Sequence, residues 1–246
     1  MRKFGLIGYP LSHSFSKKFF SEKFRDEQIR DCTYELYPIV GTELIGPLLD
    51  DPELEGINVT IPYKLQVLPL LHEIDEAAAE IGAVNCIKIS RNGLDRKLKG
   101  FNTDAYGFEA SISPLLKPHH TKALVLGDGG AAKAVKYVLK KLNIPYLVLS
   151  RNAESPNLSY AELRPELLRE YTVLINTTPL GMSPDISSCP DIPYGELTTQ
   201  HLVYDLVYNP EETTFLKNAA ARGAMVKNGM EMLYLQAERS WFIWNS

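Results

Sequence analysis

KALVLGDGGAAKAVKYV, Lys122 to Val138, decides the fold. Ala123 to Leu126 is a short apolar run, and Gly127-Asp128-Gly129-Gly130-Ala131-Ala132 follows at once. Ala134, Val135, Val138 and Leu139 then recur at helical spacing,. Strand, glycine turn and helix in this order form the context that a dinucleotide fingerprint requires. Gly127 permits the tight turn, Gly129 lets backbone approach a pyrophosphate, and Ala132 takes the third small position, where helix packs on strand. A helix opening here aims free N–H groups at phosphate. The residues ahead of this stretch must then build a different domain, and those behind it complete a nucleotide fold.

With 246 residues the chain has room for two ordinary domains,. Hydrophobic residues make up 45% and charged ones 23%, the profile of a soluble globular protein,. The net charge of −4 argues against nucleic acid as a partner, which needs a basic surface,. Cys32, Cys86 and Cys189 are odd in number and widely spaced, so they read as reduced thiols in a cytoplasmic protein and not as a disulfide frame,. No run approaches a membrane span, and Gly8, Pro10 and His13 interrupt the apolar stretch behind Met1-Arg2-Lys3, so no signal peptide is expected,. The histidines are scattered, and no metal site is expected,.

Along the first hundred residues, Phe4 to Ile7 reads as a strand and Lys17 to Arg25 as a helix,. Thr33 to Ile39 alternates as a strand, Thr42 to Leu49 is a short helix and Gly56 to Ile61 another strand,. Glu73 to Ile81 is expected to be a helix ended by Gly82, and Val84–Ser90 with Leu94–Gly100 a hairpin around Asn92-Gly93,. Asp104 to Leu116 reads as a connecting helix. Beyond the glycine loop come strands at Tyr146–Leu149, Val173–Asn176, Leu202–Leu206 and Ala224–Lys227, with helices at Glu211–Arg222 and Glu231–Trp244. This rhythm predicts an α/β protein of two α/β domains, the second with a central parallel sheet.

At the end of the second strand of a dinucleotide fold, an acidic residue selects NAD and an arginine accommodates the 2′-phosphate of NADP. Tyr146 to Leu149 ends in Ser150-Arg151-Asn152, with no carboxylate. A guanidinium suits a phosphate, so NADP(H) is the expected cofactor. Asp128 is discordant, since a carboxylate pointing into the phosphate loop repels pyrophosphate. It is expected to point away or to weaken cofactor binding.

Polar residues gather at strand ends, where ligands of open α/β sheets lie. Thr60 and Lys64 close one strand, Ser12 to Ser16 follow the first, and Asn85 and Asp104 add an amide and a carboxylate. Each has an ordinary alternative: Ser14, Ser16 and Asp104 can cap helices, and Lys64 can be solvated.

Together these residues carry a resemblance. GYPLSHSFS (Gly8–Ser16), NVTIPYK (Asn58–Lys64), IGAVN (Ile81–Asn85) and GFNTDAYG (Gly100–Gly107) fall in the first half. LGDGGAAKAV (Leu126–Val135), NTTPLGM (Asn176–Met182), YDLVYNPEETTFL (Tyr204–Leu216) and NGMEMLYLQA (Asn228–Ala237) follow in order. The chain resembles the shikimate dehydrogenase family from end to end. The resemblance implies an N-terminal substrate domain (residues 1–104 with 229–246), a Rossmann-like NADP-binding domain (105–228) and a cleft between them. It implies a cytoplasmic, NADPH-dependent oxidoreductase that reversibly reduces 3-dehydroshikimate to shikimate in aromatic amino-acid biosynthesis, as a monomer or homodimer. The matching catalytic pair is Lys64 and Asp104. Substrate contacts match Ser14, Ser16, Thr60, Lys64, Asn85, Asp104, Tyr208 and Gln236. Cofactor contacts match Gly127, Asp128, Gly129, Gly130, Ala131, Ala132, Ser150, Arg151, Asn152, Leu206 and Gly229, with Glu76 a more distant match.

These residue types suit the chemistry. A hydride arriving at a ketone carbon leaves negative charge on oxygen, which an ammonium stabilises and protonates. A heavily hydroxylated acid needs hydroxyl and amide partners, because an apolar lining leaves its hydroxyls unpaired. Three departures from the family pattern stand out. Ala153-Glu154-Ser155 follows where a second basic residue is usual after Arg151, Asp128 replaces an alanine, and only ten residues follow Gln236. Two alternatives remain: an NAD-dependent quinate/shikimate dehydrogenase, or a non-catalytic nucleotide-binding paralogue.

Overall fold

The structure is a computed structural model, and it describes residues 1–11, 14–93, 95–151 and 157–246. Contacts divide the chain into two units, Met1–Tyr106 with Gln236–Ser246, and Gly107–Leu235. Both crossings fall inside helices.

The first unit is built on a six-stranded mixed sheet. Its elements are β1 (Arg2–Gly8), α1 (Phe15–Asp26), β2 (Cys32–Pro38), α2 (Ile45–Leu49), β3 (Leu54–Val59), β4 (Glu73–Ile74), α3 (Glu76–Ile81), β5 (Cys86–Asn92), β6 (Asp95–Phe101) and the start of α4 (Thr103–Ile112). The strand order is β2-β1-β3-β5-β6-β4. β1 runs parallel to β2 and β3, while β5 is antiparallel to β3 and β6. Phe4 to Gly8 of β1 are all buried, as a central strand covered on both faces demands,. Ile7 lies opposite Val59, so the segments after β1 and β3 leave the sheet side by side. A Cβ on Gly8 would run into the Thr60 side chain, which keeps the two exits in contact.

Several boundaries differ from the sequence expectation. The Glu73–Ile81 helix begins only at Glu76, because Glu73 and Ile74 pair with Lys99 and Gly100 of β6. Lys97 adds an ion pair to Glu73, so the edge ladder captures residues that local propensity assigned to the helix. The expected strand Gly56–Ile61 lies two residues earlier, at Leu54–Val59. The hairpin strands likewise shift to Cys86–Asn92 and Asp95–Phe101, with Leu94 outside the described residues. The connecting helix ends at Ile112 and tightens into a 3-10 turn over Ser113–Leu115, with Pro114 inside it.

The second unit contains β7 (Ala123–Leu126), α5 (Gly130–Lys141), β8 (Tyr146–Leu149), α6 (Pro165–Glu170), β9 (Val173–Asn176), β10 (Leu202–Asp205), α7 (Thr214–Ala220), β11 (Met225–Lys227) and the start of α8 (Met230–Asn245). Its five strands are all parallel, in the order β11-β10-β9-β7-β8. The chain's winding direction reverses between β7 and β9, and ligands of such sheets bind beyond the strand ends at this switch point. The glycine turn leaves β7 there. β7 and β9 are fully buried, as their continuous apolar sequence requires,. Helix α6, with Pro165 in its first turn, was not expected from the sequence,. The expected Glu211–Arg222 helix starts only at Thr214, because buried Thr213 caps it, accepting from the Leu216 N–H,.

The last turns of α8 return to the first unit. Trp244 stacks on Phe4 with ring centroids 4.9 Å apart, and its indole N–H donates to the Ile87 carbonyl at 3.1 Å. A Cβ on Gly56 would strike this indole, so the glycine in β3 is what admits it. Trp241 meets Phe4 and Phe24 at 5.3 Å. This aromatic cluster fixes the helix that carries Gln236 and Ser240.

Candidate active site

Lys64 sits in the turn that follows β3, and its backbone carbonyl accepts the Val84 N–H at 2.9 Å. Asp104 lies in the first turn of α4. The Lys64 Nζ donates to Asp104 Oδ2 at 2.6 Å, and both side chains are largely enclosed. The alternative role for Asp104, capping its own helix, belongs to its neighbour. Asn102 Oδ1 accepts the Ala105 N–H at 3.1 Å, and its Nδ2 donates to the Ala83 carbonyl at 3.0 Å. With the helix end satisfied by Asn102, the Asp104 carboxylate is left for the ammonium.

Behind this pair runs a buried polar network. Asn85 Oδ1 accepts the Thr103 backbone N–H at 2.6 Å, and Asn85 Nδ2 donates to Thr103 Oγ1 at 3.0 Å. Thr103 Oγ1 also stands 3.3 Å from Gln236 Oε1 and 3.3 Å from Ser240 Oγ. Asn58 Nδ2 donates to Ser240 Oγ at 2.9 Å, and Asn58 Oδ1 accepts from the Tyr34 phenol at 2.9 Å. Burial pushes that phenol well above its ordinary value, with a hydrogen bond from Ser16 opposing the rise,. Ser16, Asn85 and Gln236 are thus connected through Tyr34, Asn58, Ser240 and Thr103. Asn58 and Thr103 lay inside quoted motifs but carried no assigned role, and nothing in the sequence signalled Tyr34 or Ser240.

Thr60 adjoins the turn of Lys64, its N–H donating to the Ile7 carbonyl at 2.9 Å. Ser14 occupies the residue before α1, but its hydroxyl makes no capping bond. That hydroxyl is buried without a hydrogen-bond partner among the described residues. An unmade buried hydroxyl is costly unless a ligand completes it, and an anionic oxygen fits such a donor. Ser12 and His13 lie outside the described residues.

In the second unit Gly127 has φ +99°, a value that favours glycine, and a Cβ there would strike Thr178,. Thr177 Oγ1 donates to the Leu126 carbonyl at 2.9 Å, bracing the turn against β9. A Cβ at Gly129 or Gly130 would meet nothing within 4 Å, so open space lies ahead of α5. The first N–H groups of an α-helix have no partners inside it. Ala132 is buried where α5 packs on the sheet. Such a cradle fits a pyrophosphate. The Asp128 carboxylate is turned to Lys136 Nζ at 2.5 Å and Asn157 Nδ2 at 3.0 Å, so its charge is paired.

Ser150 ends β8, and Arg151 is exposed beside it. Burial raises the Tyr160 phenol, and the positive charge of Arg151 opposes the rise. Asn152 lies outside the described residues. Leu206 and Gly229 come together after β10, where a Cβ on Gly229 would fall on the Leu206 carbonyl. Tyr208 follows in the same segment, its phenol raised by burial. Ala131 lies in the first turn of α5. Glu76 is exposed at the start of α3, in the first unit, whereas the other expected cofactor residues belong to the second.

A mixed sheet bearing an enclosed Lys–Asp pair, followed by a parallel sheet with a glycine turn at its switch point, defines an α/β protein of the dinucleotide-binding dehydrogenase class. Residues 6–87 match the model of the shikimate dehydrogenase substrate binding domain. A shikimate dehydrogenase (NADP(+)) of Desulforamulus reducens is 35% identical over 271 residues, covering 98% of this chain and 88% of the relative. The chorismate mutase/shikimate 5-dehydrogenase fusion protein from Clostridium acetobutylicum superposes with a TM-score of 0.86 at 36% identity, over 100% of this chain and 91% of that one. The shikimate 5-dehydrogenase from Thermus thermophilus, solved in complex with NADP(H) and shikimate, gives 0.85 at 30% identity, over 99% and 93%. The chain belongs to the shikimate dehydrogenase family.

Proposed function

We propose that this protein catalyses the reversible, NADPH-dependent reduction of 3-dehydroshikimate to shikimate. The observation that carries this is the Lys64–Asp104 ion pair at 2.6 Å, backed by the amides of Asn85 and Gln236 and the hydroxyls of Ser16 and Thr103. The first unit takes the substrate and the second the nucleotide. Ser14 and Ser16 receive the substrate carboxylate, and Thr60, Asn85 and Gln236 receive its remaining polar groups.

When bound, NADPH supplies a hydride to the carbonyl carbon. Lys64 stabilises the negative charge that grows on the carbonyl oxygen and delivers the proton that makes it a hydroxyl. Asp104 holds the ammonium in place and accepts a hydrogen bond from the same hydroxyl. In the reverse direction Lys64, once neutral, takes the hydroxyl proton. The residues Gly127 to Ala132 and the first turn of α5 hold the pyrophosphate. Arg151, with no acidic residue at the end of β8, supports NADP over NAD.

No helix among the described residues is long and apolar enough to cross a membrane. The proposed setting is the cytoplasm, with the chain acting as a monomer or homodimer in aromatic amino-acid biosynthesis. A spectrophotometric assay tests the activity: NADP+ reduction by shikimate, in parallel with NAD+ and with quinate. Turnover with shikimate and NADP+ well above the other three combinations is expected. Preference for quinate with NAD+ overturns the assignment in favour of the quinate enzyme, and no turnover with any pair favours a non-catalytic role.

A further inference from the structure

We propose that Thr103 is a positioning residue that commits Asn85 to donate, and not accept, a hydrogen bond toward the substrate. The proposal rests on the activity assigned above and concerns a residue that does not itself touch the reacting atoms. An asparagine amide presents an oxygen and an NH2 of nearly equal size, and a ligand meets one or the other depending on which way the amide is turned. Asn85 is buried, so its orientation is set by the protein around it.

Thr103 grips both ends of that amide. Its backbone N–H is a donor only, and it lies 2.6 Å from Asn85 Oδ1. Turning the amide over would set Nδ2 against that N–H, donor against donor, in a buried site. Thr103 Oγ1 takes one Nδ2 hydrogen at 3.0 Å. Among the described residues Nδ2 meets no second acceptor, so its other hydrogen remains for an acceptor on the ligand, such as a hydroxyl oxygen.

Proton accounting around Thr103 supports the same orientation. Ser240 Oγ donates its single hydrogen to the Gln236 carbonyl at 2.9 Å and accepts from Asn58 Nδ2 at 2.9 Å. The Ser240 hydrogen thus has an acceptor other than Thr103 Oγ1, whose lone pairs stay open to Asn85,. The Thr103 hydroxyl hydrogen has three oxygen acceptors within reach: Asn85 Oδ1 at 3.2 Å, Gln236 Oε1 at 3.3 Å and Ser240 Oγ at 3.3 Å. Asn102 caps α4 and fixes the backbone on which Thr103 stands, so the grip is built into the start of the helix that also carries Asp104.

The test is steady-state kinetics of the purified full chain, with shikimate and NADP+ varied in turn, on wild type, Thr103→Val, Thr103→Ser and Asn85→Asp. Valine keeps the shape and removes the hydroxyl that holds Nδ2. The expected result for Thr103→Val is a KM for shikimate about tenfold higher, with kcat and the KM for NADP+ changed less than about threefold. Thr103→Ser is expected to restore the shikimate KM to within about twofold of wild type. An unchanged shikimate KM in Thr103→Val overturns the proposal, as does an equal loss in the valine and serine variants. Should the valine variant not fold, Asn85→Asp decides: it keeps an acceptor for the Thr103 N–H and loses the donor, so an unchanged shikimate KM there also overturns it. A wild type inactive with shikimate and NADP+ brings down the assigned activity together with this proposal, whereas an active wild type with an indifferent Thr103→Val brings down the proposal alone.

Discussion

The Lys64 ammonium lies 2.6 Å from the Asp104 carboxylate, although 40 residues separate them in the chain. One comes from the turn after β3 and the other from the first turn of α4. Removing the ammonium takes away the proton donor and the charge facing the oxyanion, which act in the transition state more than in binding. Lys64→Ala is therefore expected to lower kcat by roughly 10²–10⁴-fold, with a shikimate KM raised less than about tenfold. Initial-rate measurements of NADP+ reduction check this, and a kcat near that of wild type would exclude Lys64 as the acid–base group.

The sequence made the second unit's architecture legible because its signals are local. A four-residue apolar run, a glycine turn and a helical apolar stripe sit next to one another in the chain, and β7 and α5 form there. What stayed hidden depends on partners far away. Glu73 and Ile74 leave the expected helix because β6 pairs with them, and α7 starts late because Thr213 is anchored on Asp205. Tyr34 and Ser240 join the polar network through Asn58, at separations of 24 and 182 residues, which no spacing rule reaches. From its neighbours alone Asp104 reads as a helix cap, but Asn102 holds that position.

Asp128 looked hostile to an anionic cofactor, yet Lys136 and Asn157 hold its carboxylate. Its charge is compensated beside the loop. Asp128→Ala is accordingly expected to change the NADPH dissociation constant by less than about threefold, since a partly exposed ion pair contributes little. Lys136→Ala leaves the carboxylate with Asn157 but without a compensating cation near the pyrophosphate cradle, and is expected to weaken NADPH binding about fivefold,. Fluorescence titration of NADPH into both variants measures the contrast, and tighter binding by Lys136→Ala than by wild type would refute it.

Arg151 stands at the end of β8 with its charge felt by the Tyr160 phenol. If it grips the 2′-phosphate, its loss affects one cofactor and not the other. Arg151→Ala is expected to reduce kcat/KM for NADPH by roughly 10–100-fold, the worth of a charge-assisted hydrogen bond. The value for NADH should stay within about twofold, because that cofactor lacks the phosphate. Parallel rates with the two nucleotides decide the matter; equal losses would mean that Arg151 acts on the fold of the loop and not on the phosphate.

Asp205, the last residue of β10, ties the end of β9 to the segment that leads into α7. Its carboxylate accepts from Thr213 Oγ1 at 2.6 Å, from the Val207 N–H at 3.0 Å and from Asn176 Nδ2 at 2.9 Å. Burial nevertheless pushes its pKa up to about 6, with these three donors opposing the rise,. The unfolded chain releases this proton near pH 4, so between about pH 4 and 6 the folded protein holds a proton that the unfolded one has lost. The contribution of this group to stability is fully present below the unfolded value and is lost as pH rises through about 6, by an amount on the order of 3 kcal/mol. Asp205→Asn keeps an acceptor for Val207 and Asn176, and its new N–H2 can donate to the Thr213 hydroxyl, which rotates to receive it. The variant's melting temperature is expected to gain on wild type from pH 4 to about pH 6 and to hold a constant lead from there to pH 7,. Melting curves across that range measure the difference, and a gap that stayed constant with pH would show that Asp205 keeps one charge state throughout.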